Sequence, residues 1–153
     1  LRGKDALEKY FNEILARKPD VAAAKNLPDV GNWKNSVYFE AENLLVKLLK
    51  YFWPVITARN LYVTREIFNS VGCFDEEIPV GEDQDLVQRI VKRGGKLIIL
   101  KTVNLYTSTR RIKREGRRKY ALKMILFGLD ILIRGQRRSN VEYEFGNFKK
   151  DLT

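Results

Sequence analysis

The stretch Gly81-Glu82-Asp83-Gln84-Asp85-Leu86-Val87-Gln88-Arg89-Ile90-Val91 decides how the chain is read. Leu86, Val87, Ile90 and Val91 recur at i, i+1, i+4 and i+5, one face of an α-helix. A helix is therefore expected from Glu82 to about Arg93, ended by Gly94-Gly95. Glu82, Asp83 and Asp85 fill its first turn, where unpaired N–H groups and the helix dipole favour negative charge. They cannot all point one way. Glu82 and Asp85 share a side, while Asp83 faces roughly 100° away. An acidic helix start that caps itself fits the pattern, and so does a site.

Working outward, Thr64 is placed to cap a short helix through Arg65-Glu66-Ile67-Phe68, closed by Gly72 at the position where a left-handed residue is wanted. After the acidic helix, 97–100 and 103–106 read as strands from their β-branched content. Ser108 or Thr109 can cap the segment after them. Upstream, Asp5 is expected to cap a helix over 6–17 whose buried stripe is Leu7, Phe11, Ile14 and Leu15. A short strand at 20–24, a loop at 26–35 and a helix from Ser36 to about Trp53 come next. That helix carries a wide apolar face of Tyr38, Ala41, Leu44, Leu45, Leu48, Leu49 and Phe52. A strand over 56–62 completes the pattern. The class is α/β, a mixed sheet flanked by helices, with too few strands for a complete doubly wound sheet. The expectation is part of a domain.

Composition sets limits. The 153 residues suffice for one core, and 44% hydrophobic content is incompatible with a disordered polymer. The net charge of +10 points to an anionic partner. Histidine is absent, which removes Ser-His-Asp and Cys-His catalysis and the commonest metal ligand. The single Cys73 forms no internal disulfide and fits a small loop hydrophobe better than a nucleophile.

Seven basic residues and one acid lie between Arg110 and Lys119, before an apolar run with Leu122, Ile125, Leu126, Leu129, Leu132 and Ile133 at helical spacing. Segment 110–134 is expected as one basic amphipathic helix, with a polar tail over 135–153. Its apolar side suits either anionic lipid or packing onto the rest of the domain.

Arg65-Glu66-Ile67-Phe68-Asn69-Ser70-Val71-Gly72-Cys73-Phe74-Asp75-Glu76 resembles the R-x-x-F-x-x-V-G-G-F-D-E segment of family 2 glycosyltransferases of the GT-A fold. Gly81-Glu82-Asp83-Gln84-Asp85-Leu86 with Arg89 is similar to their E-D-x-D-L-x-x-R motif. Gly94-Gly95-Lys96 and Ser108 with Arg110-Arg111 resemble the G-x-K and S-x-R-R segments further along. The resemblance runs in order from about 59 to 120. It covers the acceptor-binding half alone. The D-x-D motif of the nucleotide-binding half has no counterpart, and Cys73 stands where the family has its second glycine.

The resemblance implies a partial GT-A domain over 1–109 from an inverting glycosyltransferase that uses a nucleoside-diphosphate sugar and a hydroxyl acceptor. Asp83 corresponds to the base that takes the acceptor's proton. Asp85 either orients the acceptor or supports the loop, and Glu82 either contacts the acceptor or caps the helix. Arg59 and Asn60 fall where the family lines its acceptor pocket. Arg110 and Arg111 either approach the diphosphate or lie on a solvated face. A divalent cation, Mg²⁺ or Mn²⁺, is implied for the complete enzyme, with most ligands outside this chain. The expected partners are a donor-binding half, an anionic membrane at the cytoplasmic face, and a second copy joined through an open sheet edge. A nucleic-acid-binding module is the competing reading of the charge; it lacks a reader motif and interleaved aromatics. A non-catalytic membrane-docking domain of the same fold is the other.

Overall fold

The structure, a computed structural model, describes residues 3–29, 32–49, 53–54, 56, 60–78 and 81–134. Its elements are α1 (Ala6–Arg17), β1 (Val21–Pro28), α2 (Trp33–Leu49), β2 (Leu61–Val63), α3 (Arg65–Ser70), α4 (Glu82–Lys92), β3 (Leu97–Thr107), α5 (Arg110–Glu115) and α6 (Arg117–Arg134). The chain is α/β. A mixed sheet in the order β2-β1-β3 is flanked by helices, with β1 antiparallel to β2 and parallel to β3.

Alternation along β1 builds two cores. Ala22 and Ala24 face α1 and pack with Tyr10, Ile14, Ile98 and Leu100. Val21 and Ala23 face α4 and pack with Leu86, Val87, Ile90 and Ile56. Where α4 turns into β3 the backbone comes close. A Cβ on Gly95 would stand 2.5 Å from Ile90 Cγ2 and 2.9 Å from its carbonyl oxygen, so only glycine fits there. Asp20 fastens the two parallel strands at their start, its Oδ2 accepting the Lys96 N–H at 2.7 Å.

The expected strands at 97–100 and 103–106 are one strand, β3. Its pairing with β1 jumps from Ala24↔Leu100 to Lys25↔Asn104, which loops Lys101, Thr102 and Val103 out of register. Glu13 of α1 satisfies the loop: its carboxylate accepts the N–H of Lys101 and of Thr102 and the Thr102 hydroxyl, and pairs with Arg17 at 2.6 Å. These hydrogen bonds outweigh burial and hold the Glu13 pKa down at about 2.

The contacts of Glu13 explain why, of the expected face of α1, only Ile14 is buried. The helix turns Ala6, Tyr10, Glu13 and Ile14 inward, and Leu7, Phe11 and Leu15 face solvent. Likewise α2 starts at Trp33 and buries Asn35, Phe39 and Val46, leaving Leu44, Leu45 and Leu48 exposed. Its orientation is set by Asn43, whose side chain exchanges two hydrogen bonds with the Asn26 backbone on β1, and by Phe39 against Ile112 and Tyr120. Strand β1 runs on to Pro28, through part of the expected loop, while β2, Leu61–Val63, meets the expected strand over 61–62, with 57–59 outside the described residues. Segment 110–134 is two helices, parted at Gly116, whose φ of 81° and ψ of 135° are not helical.

Candidate functional site

The site is the start of α4 and the loop that packs beside it. Thr64 caps α3 as expected, its hydroxyl accepting the Ile67 N–H at 3.5 Å. Gly72 comes next with φ of 86°, and Cys73 keeps a left-handed φ of 62°, a conformation that disfavours a side chain. An arginine of α4 and the one just after it finish the end of α3. Arg89 donates from Nη1 to the Val71 carbonyl at 2.6 Å and from Nη2 to the Cys73 carbonyl at 2.8 Å. Arg93 donates to the Ser70 carbonyl at 2.6 Å. Orphan carbonyls of a helix end need such donors.

Three carboxylates in one turn meet three environments. Asp85 pairs with Arg89, Oδ2 to Nε at 2.6 Å, so it supports the loop through that arginine. Glu82 is exposed. Asp83 stands in line with Leu86, Val87 and Ile90, at i, i+3, i+4 and i+7 on the buried stripe of α4. It occupies the place where that stripe calls for an apolar side chain. Burial, chiefly, pushes the Asp83 pKa up, the neighbouring Glu82 charge adds to this, and hydrogen bonds from the Gln84 N–H at 2.8 Å and from its own N–H oppose it. A carboxylate with raised proton affinity, fixed at a helix start, is suited to receive a proton.

Gln84 ties this turn to the segment before β2, its Nε2 donating to the Pro54 carbonyl at 3.5 Å. Two residues on, Ile56 forms part of the wall of an open cavity of about 630 Å³ between α2 and the β1/β3 surface. The cavity rim carries Lys25, Lys47 and Lys101, with Lys25 paired to Glu40 at 2.9 Å. That volume is in the range of small-ligand sites.

The remaining expected site residues lie apart from this turn. Asn60 is on the α1 side of the sheet, hydrogen-bonded to the Tyr10 phenol. Burial pushes that phenol's pKa up, against the pull of the Asn60 bond. The Asn60 Oδ1 is buried and has no partner among the described residues. Arg110 is exposed at the start of α5 and folds back to donate from Nε to the Ser108 hydroxyl at 3.1 Å. Arg59 and the side chain of Arg111 fall outside the described residues. Of the first-turn acids, Asp85 is committed to Arg89, while Asp83 is half-buried and Glu82 exposed. Among the described residues no group of three metal-ligating side chains occurs.

Sequence reasoning misses Glu13, Arg93 and Asn43 as organising residues. The Glu13–Arg17 and Asp85–Arg89 spacings are legible as i,i+4 pairs, but the backbone groups they hold lie far along the chain. Comparison with protein-family models, curated proteins and solved structures finds no match.

Proposed function

We propose that this chain is the acceptor-binding, base-carrying half of a GT-A glycosyltransferase of family 2, which transfers a sugar with inversion from a nucleoside diphosphate to a hydroxyl. The observation that carries the reading is Asp83, a half-buried carboxylate set into an apolar helix stripe with its proton affinity raised by burial. In the reaction the acceptor oxygen forms a bond to the anomeric carbon. The bond from that carbon to the diphosphate oxygen breaks on the opposite side, and the acceptor's proton passes to Asp83. The pair Asp85–Arg89 positions the turn from which Asp83 acts. The exposed apolar stripe of α1, Leu7, Phe11 and Leu15, supports the further proposal of a donor-binding half as another layer. That half would supply the cation and its ligands.

The test is sugar transfer from a panel of nucleoside-diphosphate sugars by the protein containing this chain. Asp83→Asn is expected to lower turnover about 10²–10⁴-fold while donor binding survives. Undiminished turnover in that variant removes Asp83 from the base role, and no transfer from any donor by the wild type removes the reading. The isolated chain, titrated calorimetrically with UDP and GDP in Mn²⁺, is expected to show no saturable binding. Saturable binding would reverse the assignment of halves.

A further inference from the structure

We infer that α5 and the exposed face of α6 form a docking surface for an anionic lipid bilayer, on which the chain lies without crossing it. This inference is independent of the glycosyl-transfer reading.

The first observation is the anchoring. Ile112 of α5 and Tyr120 of α6 are buried against Phe39 of α2, with Tyr38 and Met124 at the margin. The Tyr38 and Tyr120 rings meet edge to face at 6.0 Å. At the end of β3, Asp29 accepts both the N–H and the hydroxyl of Thr109 at 3.0 Å, fixing the point where α5 leaves the sheet. The packing alternative for this segment is thereby satisfied by one side of each helix.

The other side is left over. Leu122, Ile125, Leu126 and Leu129 are 57%, 59%, 56% and 46% exposed. At 100° per residue they fall within one stripe of about 100°, opposite Tyr120 and Met124. Arg118 lies on the same stripe one turn earlier, with Lys119 at its border; both are exposed. Across the Gly116 break, α5 adds exposed Arg110, Lys113 and Arg114. Two exposed cations thus adjoin four exposed aliphatic side chains on α6, and three more stand on the preceding helix.

The charge selects the occupant. A second copy would bring the same cations against these, and a neutral protein layer would leave them unpaired. An anionic headgroup layer meets the cations while the aliphatic stripe enters the acyl boundary. No helix among the described residues is long and apolar enough to cross a membrane, so the helix lies in the interface plane.

The experiment is co-sedimentation of the full chain with vesicles of phosphatidylcholine alone and with 30% phosphatidylglycerol. Binding to the anionic vesicles, falling with added salt, is expected, with little binding to the neutral ones. Each basic residue near an anionic surface changes partitioning about fivefold. The triple change R114Q/R118Q/K119Q is therefore expected to lower it about 100-fold, and Leu126→Gln about tenfold or more. All four residues are exposed, and unchanged far-ultraviolet circular dichroism verifies that the variants fold. Absence of vesicle binding by the wild type overturns the inference, as does equal binding to both vesicle types. A dimer dissolved by Leu126→Gln without vesicle binding would assign the face to a second copy. Oligonucleotide binding that the triple change removes and Leu126→Gln does not touch, again without vesicle binding, would assign the charge to nucleic acid.

Discussion

Glu13 makes more contacts than its position in a helix suggests. Its carboxylate is nearly enclosed and accepts from two backbone amides, a hydroxyl and Arg17. Because the folded pKa of about 2 lies below the ordinary 4.5, the unfolded chain binds more protons between those values. The stabilisation is thus complete above about pH 4.5 and is lost as pH falls through 2, a contribution of roughly 3 kcal/mol. Glu13→Gln is expected to lower the unfolding free energy at pH 7 by about 2–3 kcal/mol, read by urea denaturation, and to flatten its slope between pH 4.5 and 2. An unchanged slope would show that other carboxylates carry the acid response. Asp83 acts with the opposite sign. Its raised pKa makes the folded state the better proton binder, so its contribution to stability declines as pH rises through the carboxylate range.

At the scale of elements, α4 does two jobs with two faces. Its inner face closes the core through Leu86, Val87 and Ile90, and its outer face reaches back to the end of α3 through Arg89, joined by Arg93 just after the helix. The guanidinium of Arg89 satisfies Asp85 and two carbonyls in fixed directions, which an ammonium group cannot do. Arg89→Lys is expected to cost about 2 kcal/mol and to open the loop at 73–78 to limited proteolysis faster than the rest of the chain. Wild-type cleavage rates in that variant would show that the loop is held by something else. Elements were the most legible level. The helix start at Arg65 derives from the Thr64 cap, that at Glu82 from apolar periodicity, and the turn at Gly72 from its glycine; Asp5 precedes α1 as expected but makes no side-chain cap bond. The strand count was not legible, because the looped-out residues 101–103 read as a break between two strands. Pairing with β1 on both sides of them makes one strand, and Glu13, 88 residues away in sequence, takes up the looped-out amides.

For the whole molecule, the hardest thing to read was which face of each helix turns inward. Periodicity identifies an apolar stripe, and on α1 it names Leu7, Phe11, Ile14 and Leu15. Of these the sheet takes only Ile14, together with Tyr10 and Glu13, because the alanines of β1 leave room for an aromatic ring and the looped-out amides need a carboxylate. A double comparison tests this orientation. Phe11→Gln, at 52% exposure, is expected to change stability by no more than about 0.5 kcal/mol. Tyr10→Ala, 7% exposed, is expected to cost about 3–5 kcal/mol by analogy with other buried aromatics. Thermal denaturation distinguishes the two, and the reverse order would restore the stripe that periodicity favours. Asp83 was legible as an acid on a helix start, and its place on the buried stripe comes from its spacing with Leu86, Val87 and Ile90. The sequence does not announce that Arg110 bends back onto Ser108 or that Asn60 serves Tyr10, since both depend on where strands end.

The parallel pairing of β1 with β3 also fixes an order of events during synthesis. Asp20 and Lys96, which join the two strands just before their first residues, are 76 positions apart, whereas β2 pairs with β1 from much nearer in the chain. A ribosome adding residues at its ordinary pace takes roughly 4–15 s to cover that gap. Until β2 is made the nascent β1 has no neighbour, and from then until β3 arrives it has one on one side only, its Val-Ala-Ala-Ala edge open. Such an edge is open to pairing with other chains. Misassembly through that open edge belongs to the interval before β3 arrives, and is a matter apart from the finished protein's stability.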